Sequence, residues 1–308
     1  MLKFVLRRVL WTIPIILLVI FMTFWMMRAI KGSPFRKSDR AVPPAVLANL
    51  NRNFGLDKPW YVQYYRYVKG VATLNLGPSL VLRDQGVNDI VEEHFPVSAQ
   101  LGGFAMLFAM IVGIPLGILS ALRVNTWLDY AGQFISNLGF AVPSFFTATL
   151  FIYFFAAKWR LFPVSGWDTP SSKVLPVIAL SLFPLTYFAR LVRGQMLETL
   201  QQDYVRTAKA KGLRWRRVVV VHVLRNSLIP ALTAAVPILG GLVTGSFIIE
   251  NIFAIPGIGR YYVTSVSGRD YSTVMGITVL LAILIIVANM VVDILYGFLD
   301  PRTRDARA

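Results

Sequence analysis

RGQMLETLQQDYVRTAKAKGLRWRRVVVVHVLRNSLIP, residues 193–230, lies between two apolar runs and carries eight Lys or Arg residues: Arg193, Arg206, Lys209, Lys211, Arg214, Arg216, Arg217 and Arg225. A short basic loop between two spans is held on the cytoplasmic side of a membrane, so this stretch sets an orientation for the whole chain. Within it, Leu197, Leu200, Tyr204 and Ala208 recur at spacings of three or four, which predicts one helical face, with Arg206 and Lys209 pointing elsewhere. Gly212, preceded by Lys209 and Lys211, is the expected helix stop. A second basic run, helical or strand-like, follows from Arg214 to Leu224.

Working outward, the 308 residues are 56% hydrophobic and only 15% charged, with a mean hydropathy of +0.61. That is too apolar for a water-soluble protein of one or two domains and predicts an integral membrane protein. The formal charge of +16 would suggest nucleic acid in a soluble protein, but here the basic residues lie almost all outside the spans, and those of the termini and short loops mostly on one side, while the long loop 29–96 holds nine more and is long enough to escape that bias. No nucleic-acid partner is expected; contact with anionic membrane lipid is. The chain has no cysteine, which excludes disulfides, thiolate metal sites and a Cys nucleophile. Its two histidines, His94 and His222, fall on opposite sides of the expected topology, so a shared metal site is not expected.

The expected organisation is all-α, with six transmembrane helices. Residues 1–8 form a cytoplasmic N-terminus. Residues 9–28 are the first span, whose uncharged run is longer than a signal-peptide core of roughly 7 to 15 residues and lacks a small-x-small cleavage site. Residues 29–96 form an external loop with two short helices broken at Gly55 to Pro59, the second bearing Trp60, Tyr61, Tyr64, Tyr65 and Tyr67. This aromatic stripe is read as packing on the membrane interface, with a docking surface as the alternative. Residues 97–299 form the membrane core, with spans near 97–121, 133–157, 174–192, 229–250 and 275–298, each close to the roughly 20 residues a bilayer needs. The loop 193–228 faces the cytoplasm, as does the tail 300–308. The N-terminus, the inner loops and the tail hold 15 Lys or Arg against five in the two short outer loops. Both termini are therefore expected inside.

Pro115, Pro143, Pro184 and Pro237 lie inside the spans, and breaks of that kind survive where neighbouring helices or a water-filled cavity satisfy the freed backbone groups. Gly113/Gly117 and Gly241/Gly245 fit close helix contact by the small-xxx-small pattern. Arg190 and Asp293, both near cytoplasmic ends of spans, are expected to form an ion pair, with independent snorkelling as the alternative. No GxxxxGK[ST] phosphate loop is present, and there is no Ser, His and Asp set, paired acid or metal-ligand spacing. The chain is expected to be no enzyme, with no cofactor of its own.

RTAKAKG (206–212) followed by HVLRNSLIP (222–230) resembles the cytoplasmic coupling loop of ABC-transporter permeases of the peptide and nickel branch. Arg206 stands where the broader family has Glu, and Leu224-Arg225 where it has Leu-Pro. The resemblance continues through GLDKPWYVQYYRYVKGV, FPVSAQLG, IPGIGRYYVTSVSGRDYSTVMG (255–276) and DILYGFLDPRTR (293–304). It implies a type I ABC-importer permease architecture in a bacterial inner membrane. The implied partners are a second homologous permease, two cytoplasmic ATPase subunits that bind the ATP, an external peptide-binding protein and a peptide substrate. The implied coupling residues are Tyr204, Arg206, Thr207, Ala208, Lys209, Ala210, Lys211 and Gly212, the last expected to be needed because an ATPase surface approaches its backbone. GSPF (32–35) and FPVSAQLG look closer to the oligopeptide than to the dipeptide branch. The competing reading is a self-sufficient secondary transporter or channel, which would usually carry mid-span ionisable groups and repeated halves.

Overall fold

In the computed structural model, residues 2–29, 44–53, 55–82 and 85–299 are described, and all regular structure among them is helical, with one isolated bridge between Pro78 and Gly86. Helix α1 (Leu2–Ala29) is followed by two short helices, α2 (Pro44–Asn53) and α3 (Trp60–Ala72). The core begins with α4 (Val87–Leu122). At 1.5 Å per residue this 36-residue helix is about 54 Å long, so it extends well past the ~30 Å hydrocarbon layer. Helices α5 (Trp127–Ala141) and α6 (Ser144–Phe151) come next, α6 continuing as a wider-turned segment Ile152–Lys158. Then comes α7 (Pro170–Leu200), the central helix, packed along α4.

Beyond it lie α8 (Asp203–Ala210), α9 (Trp215–Arg217), a wide-turned run Val218–Leu224, α10 (Arg225–Ser227) and α11 (Ile229–Val243). The chain closes with α12 (Phe247–Ile252), α13 (Ile258–Gly268) and α14 (Tyr271–Leu299).

Four helices are long and apolar enough to cross a membrane singly: Val9–Ala29 within α1, α4, α7 and Tyr271–Val292 within α14. Two bent pairs pass the same test of length and composition together, α5 with Ser144–Lys158 at 104° and Trp215–Ser227 with α11 at 41°, and counting each as one span brings the number to six. The sharper bend has a local cause. Pro143 has no N–H to donate and its ring disfavours helical geometry at the preceding residue, and Val142 is extended at φ −93°, ψ 122°. Pro115, Pro184 and Pro237 are instead carried inside continuous helices.

Close packing of α4 on α7 comes from glycine. A side chain at Gly113 or Gly117 would collide with the backbone carbonyl of Leu185 or Ala189, so the two helices approach backbone to backbone there. The second expected pair does not behave this way. Gly241 has open space around it, and Gly245 adopts φ +92° beside Glu250 and Ser98, at the end of α11. The i,i+4 spacing in that pair marks a helix end, because the chain turns out of α11 before a second small residue can meet a neighbour.

Most of α1 remains uncovered by the chain, with Leu10, Trp11 and Met26 each 62% exposed, as lipid-facing side chains are. Its covered side includes Ile20 and Phe24, where Tyr64 of α3 meets Phe21 and Phe24 edge-on. Trp60 packs against Trp25. Tyr61 and Tyr65 stay exposed, so the aromatic stripe of α3 divides between a seat on α1 and an open side.

Candidate functional site

The basic segment is seated on the core through α8. Gln202, extended at φ −68°, ψ 147°, separates α8 from α7 and resets the rotational phase of the chain. The single face expected from Leu197, Leu200, Tyr204 and Ala208 is therefore cut in two. Leu197 and Leu200 pack at the end of α7, whereas the buried positions of α8 are Val205 and Ala208, set among Met196, Val218 and Val219. Tyr204 turns outward, 42% exposed, and its hydroxyl accepts a hydrogen bond from Asn226 Nδ2 at 2.9 Å.

Arg206, Thr207, Lys209, Ala210, Lys211 and Gly212 are all exposed. Lys209 Nζ lies 4.6 Å from the centre of the Trp215 ring, a cation–π contact tying α8 to α9. Arg206 and Asp203 make only an exposed 3.7 Å pair, which contributes little to stability.

The end of α8 is built by its backbone. The Gly212 N–H donates to Lys209 O at 2.9 Å and the Leu213 N–H to Ala208 O at 3.3 Å, the Schellman pattern, with Gly212 left-handed at φ +74°. A β-carbon on Gly212 would meet nothing within 4 Å. The conformation by itself therefore accounts for glycine there. The result is a short helix with two small residues buried, a basic outer side and a fixed end: a rigid projection suited to contact with another protein.

Just inside this projection, Arg193 Nε donates to Asp129 Oδ1 at 2.7 Å and Nη2 to Oδ2 at 2.9 Å. This two-pronged pair joins α5 to α7, and the Asn125 N–H adds a third donor to Asp129 at 3.1 Å. The Asp129 side chain is 1% exposed and that of Arg193 23%. The expected pair was Arg190 with Asp293. Asp293's side chain lies outside the described residues, as do Arg302, Arg304 and Arg307; Arg190 is exposed, with its guanidinium 5.1 Å above the Phe140 ring.

At the opposite end of the bundle sits a second buried carboxylate that the sequence reading missed. Glu250 is 0% exposed. Its Oε1 accepts from Ser98 Oγ at 2.9 Å and the Ser246 N–H at 3.1 Å, and its Oε2 from the N–H groups of Gly259 at 2.8 Å and Arg260 at 3.3 Å. Ser98 in turn accepts from the Ile258 N–H at 2.9 Å. At Gly257 a β-carbon would collide with Glu250 and Ser98, so the loop 253–257 closes over the carboxylate only without a side chain. The available signal was an acid ending an apolar run, followed by the closely spaced Gly257 and Gly259.

Two further groups hold this end. His94 stacks on Tyr261 with ring centroids 3.9 Å apart and its Nδ1 hydrogen-bonds Pro256 O at 3.1 Å. Asp270, buried before α14, accepts from the Leu80 N–H at 3.0 Å, from Thr273 and from Ser79 Oγ, which fastens the segment before α4 to the start of α14. Among the described residues no group of three or more His, Asp or Glu is arranged to hold a metal.

Residues 113–305 match the family model described as "Binding-protein-dependent transport system inner membrane component", and residues 1–101 match the corresponding N-terminal model. The chain is 45% identical over 289 residues to the dipeptide transport system permease protein DppB of Bacillus subtilis, covering 94% of each. It is 42% identical over 306 residues to the oligopeptide transport system permease protein OppB of Salmonella typhimurium, covering 99% of this chain and 100% of that one. Among solved structures it resembles the inward-facing MetNI methionine ABC transporter with a TM-score of 0.58 at 18% identity, over 68% of this chain and 96% of the other. It also resembles an amino acid ABC transporter with a TM-score of 0.54 at 14% identity, over 68% and 94%. At such identities the last two likenesses concern the fold.

Proposed function

The chain belongs to the family of binding-protein-dependent transport system inner membrane components, and from that premise we propose that it is one membrane subunit of an ATP-driven importer of peptides, oligopeptides in preference to dipeptides. In this reading it forms half of the pathway beside a second, homologous permease. Two ATPase subunits perform the hydrolysis, and one of them seats on the surface of α8, from Tyr204 to Gly212. An external binding protein delivers peptide at the Glu250 end. Both termini and the 193–228 loop then face the cytoplasm, which agrees with the 15 against five distribution of basic residues.

The observation that carries the proposal is continuous similarity along the chain to permeases named for dipeptides and oligopeptides. The presentation of α8 supports the coupling part of it: Val205 and Ala208 seat the helix, and Tyr204, its basic side and its fixed end are left for a partner. Closure of the ATPases would push on α8, and Val205 and Ala208 would pass that push to α7 through the shared core.

The test is uptake of labelled peptides into vesicles holding the assembled complex, with ion gradients collapsed by ionophores and ATP supplied on the side of α8. Uptake that needs ATP and survives the collapse is expected, with a pentapeptide competing better than a dipeptide. Uptake abolished by the collapse would identify a secondary transporter instead.

A further inference from the structure

Helix α7 treats its two arginines differently. Arg193 is held by Asp129 through two hydrogen bonds, whereas Arg190, one turn away along an apolar helix long enough to span the membrane, is exposed. No described carboxylate pairs with it. The same side of α7 presents Tyr187 and Phe183, 36% and 50% exposed, at spacings of three and four, while Leu185, Phe188, Ala189 and Val192 on the other side are buried. From α5, Phe140 joins this face, stacked on Phe183 with centroids 5.6 Å apart and lying under the Arg190 guanidinium at 5.1 Å. Immediately after Phe140 the span breaks at Val142 and Pro143 and turns by 104°.

Each of these facts points the same way. A guanidinium on a spanning helix is costly against lipid, and such groups face a bundle interior or a water-filled cavity. A broken span is tolerated at membrane depth where it lines such a cavity, and discontinuous helices form the substrate sites of many transporters.

We propose that Phe140, Phe183, Tyr187 and Arg190 form this subunit's contact with the peptide in transit, the Arg190 guanidinium receiving the peptide's C-terminal carboxylate while the rings pack on its side chains. The inference rests on the peptide-import reading. Its chemical basis is that the C-terminal carboxylate is the one anionic group every linear peptide carries, so a guanidinium above an aromatic floor serves peptides of any sequence. Planar two-pronged binding suits guanidinium to carboxylate better than the point charge of an ammonium.

The experiment uses the assembled complex in vesicles and a peptide with no acidic side chain, offered as the free acid and as its C-terminal amide. Arg190→Gln is expected to lower uptake of the free acid about tenfold, the scale of one charge-assisted hydrogen bond, and to leave uptake of the amide where the parent has it. Arg190→Lys is expected to recover part of the loss. A photoreactive residue at the C-terminal end of the peptide is expected to label the segments around Phe140 and Phe183 in the parent and to lose that labelling in Arg190→Gln. This arm decides the matter if the binding protein does not accept the amide.

Equal losses for acid and amide, unchanged labelling, or recovery of free-acid uptake by the double reversal Arg190→Glu with Asp293→Arg would overturn the proposal, the last by assigning Arg190 to an ion pair. A parent complex that imports neither form under ATP would overturn the import reading instead.

Discussion

Asp129 and Glu250 are both buried carboxylates, at opposite ends of the same bundle, and they are satisfied by different means. Asp129 meets a guanidinium head-on across two helices, with one backbone N–H in addition. Glu250 is held by neutral groups, three backbone N–H donors and one hydroxyl, drawn from α4 and from both sides of the turn at 253–257. The first arrangement is a strut: it sets the distance between α5 and α7 beside the projecting α8. The second is a knot that folds a loop around a buried carboxyl group, with backbone N–H donors on both of its oxygens.

The difference teaches where each end tolerates change. A strut depends on two side chains and can be exchanged as a pair. A knot depends on backbone geometry, and no single partner substitution can repair it.

The largest expected effect follows from that distinction. Glu250→Gln keeps the shape but replaces one acceptor oxygen with an amide NH2 facing buried N–H donors. Each donor left unsatisfied costs roughly 1–3 kcal/mol, so a loss of about 3 kcal/mol or more is expected in thermal unfolding of the detergent-solubilised subunit. Ser98→Ala should cost less, about 1–2 kcal/mol, because Glu250 keeps its backbone donors. A Gln variant as stable as the parent would mean that the loop has another way to close.

The strut should give a smaller effect with a different signature. Asp129→Asn or Arg193→Gln alone is expected to cost about 1–3 kcal/mol, below the 3–5 kcal/mol typical of fully buried pairs because Arg193 retains some water contact. The double variant should lose clearly less than the sum of the two, since neither charge is then left unpaired. Additive losses would show that the two groups act independently and would erase the contrast with Glu250.

Gly212 gives the smallest effect and sharpens the comparison at the α8 end. Its left-handed conformation and open surroundings predict that Gly212→Asn costs a few tenths of a kcal/mol and Gly212→Ala about 1 kcal/mol in unfolding measurements. Peptide uptake by the assembled complex is the second readout. Uptake that ranks in the opposite order, with Ala retaining more than Asn, would reveal a partner surface lying against that backbone.

Much of this molecule was legible in its residues, for reasons tied to particular stretches. The uncharged run of α1, the apolar lengths of α4, α7 and α14, and the small residues Gly113 and Gly117 each act through local periodicity or composition. The pairing of acids and bases was not legible in that way. Arg190 and Arg193 stand three residues apart on one helix, and sequence spacing contains nothing to say which of them meets a carboxylate. Asp129 reaches Arg193 across 64 residues because α5 lies along α7, with Gly139 set closely against Thr186. Glu250 looked like the end of a span because the donors that surround it belong to residues 98, 246, 259 and 260.

By itself the sequence determined that the chain is a multi-pass membrane protein and where along it the apolar and the basic stretches fall. Those properties follow from the transfer energy of contiguous apolar residues and from charges next to them, quantities that add up along the chain. Only the tertiary structure decided that α7 and α8 are separate helices, that Asp129 takes Arg193, and that Glu250 is wrapped by a glycine-bounded loop. Hydrogen-bond partners are chosen by distance and direction across packed helices, and those are set after the helices have found their close contacts at glycine.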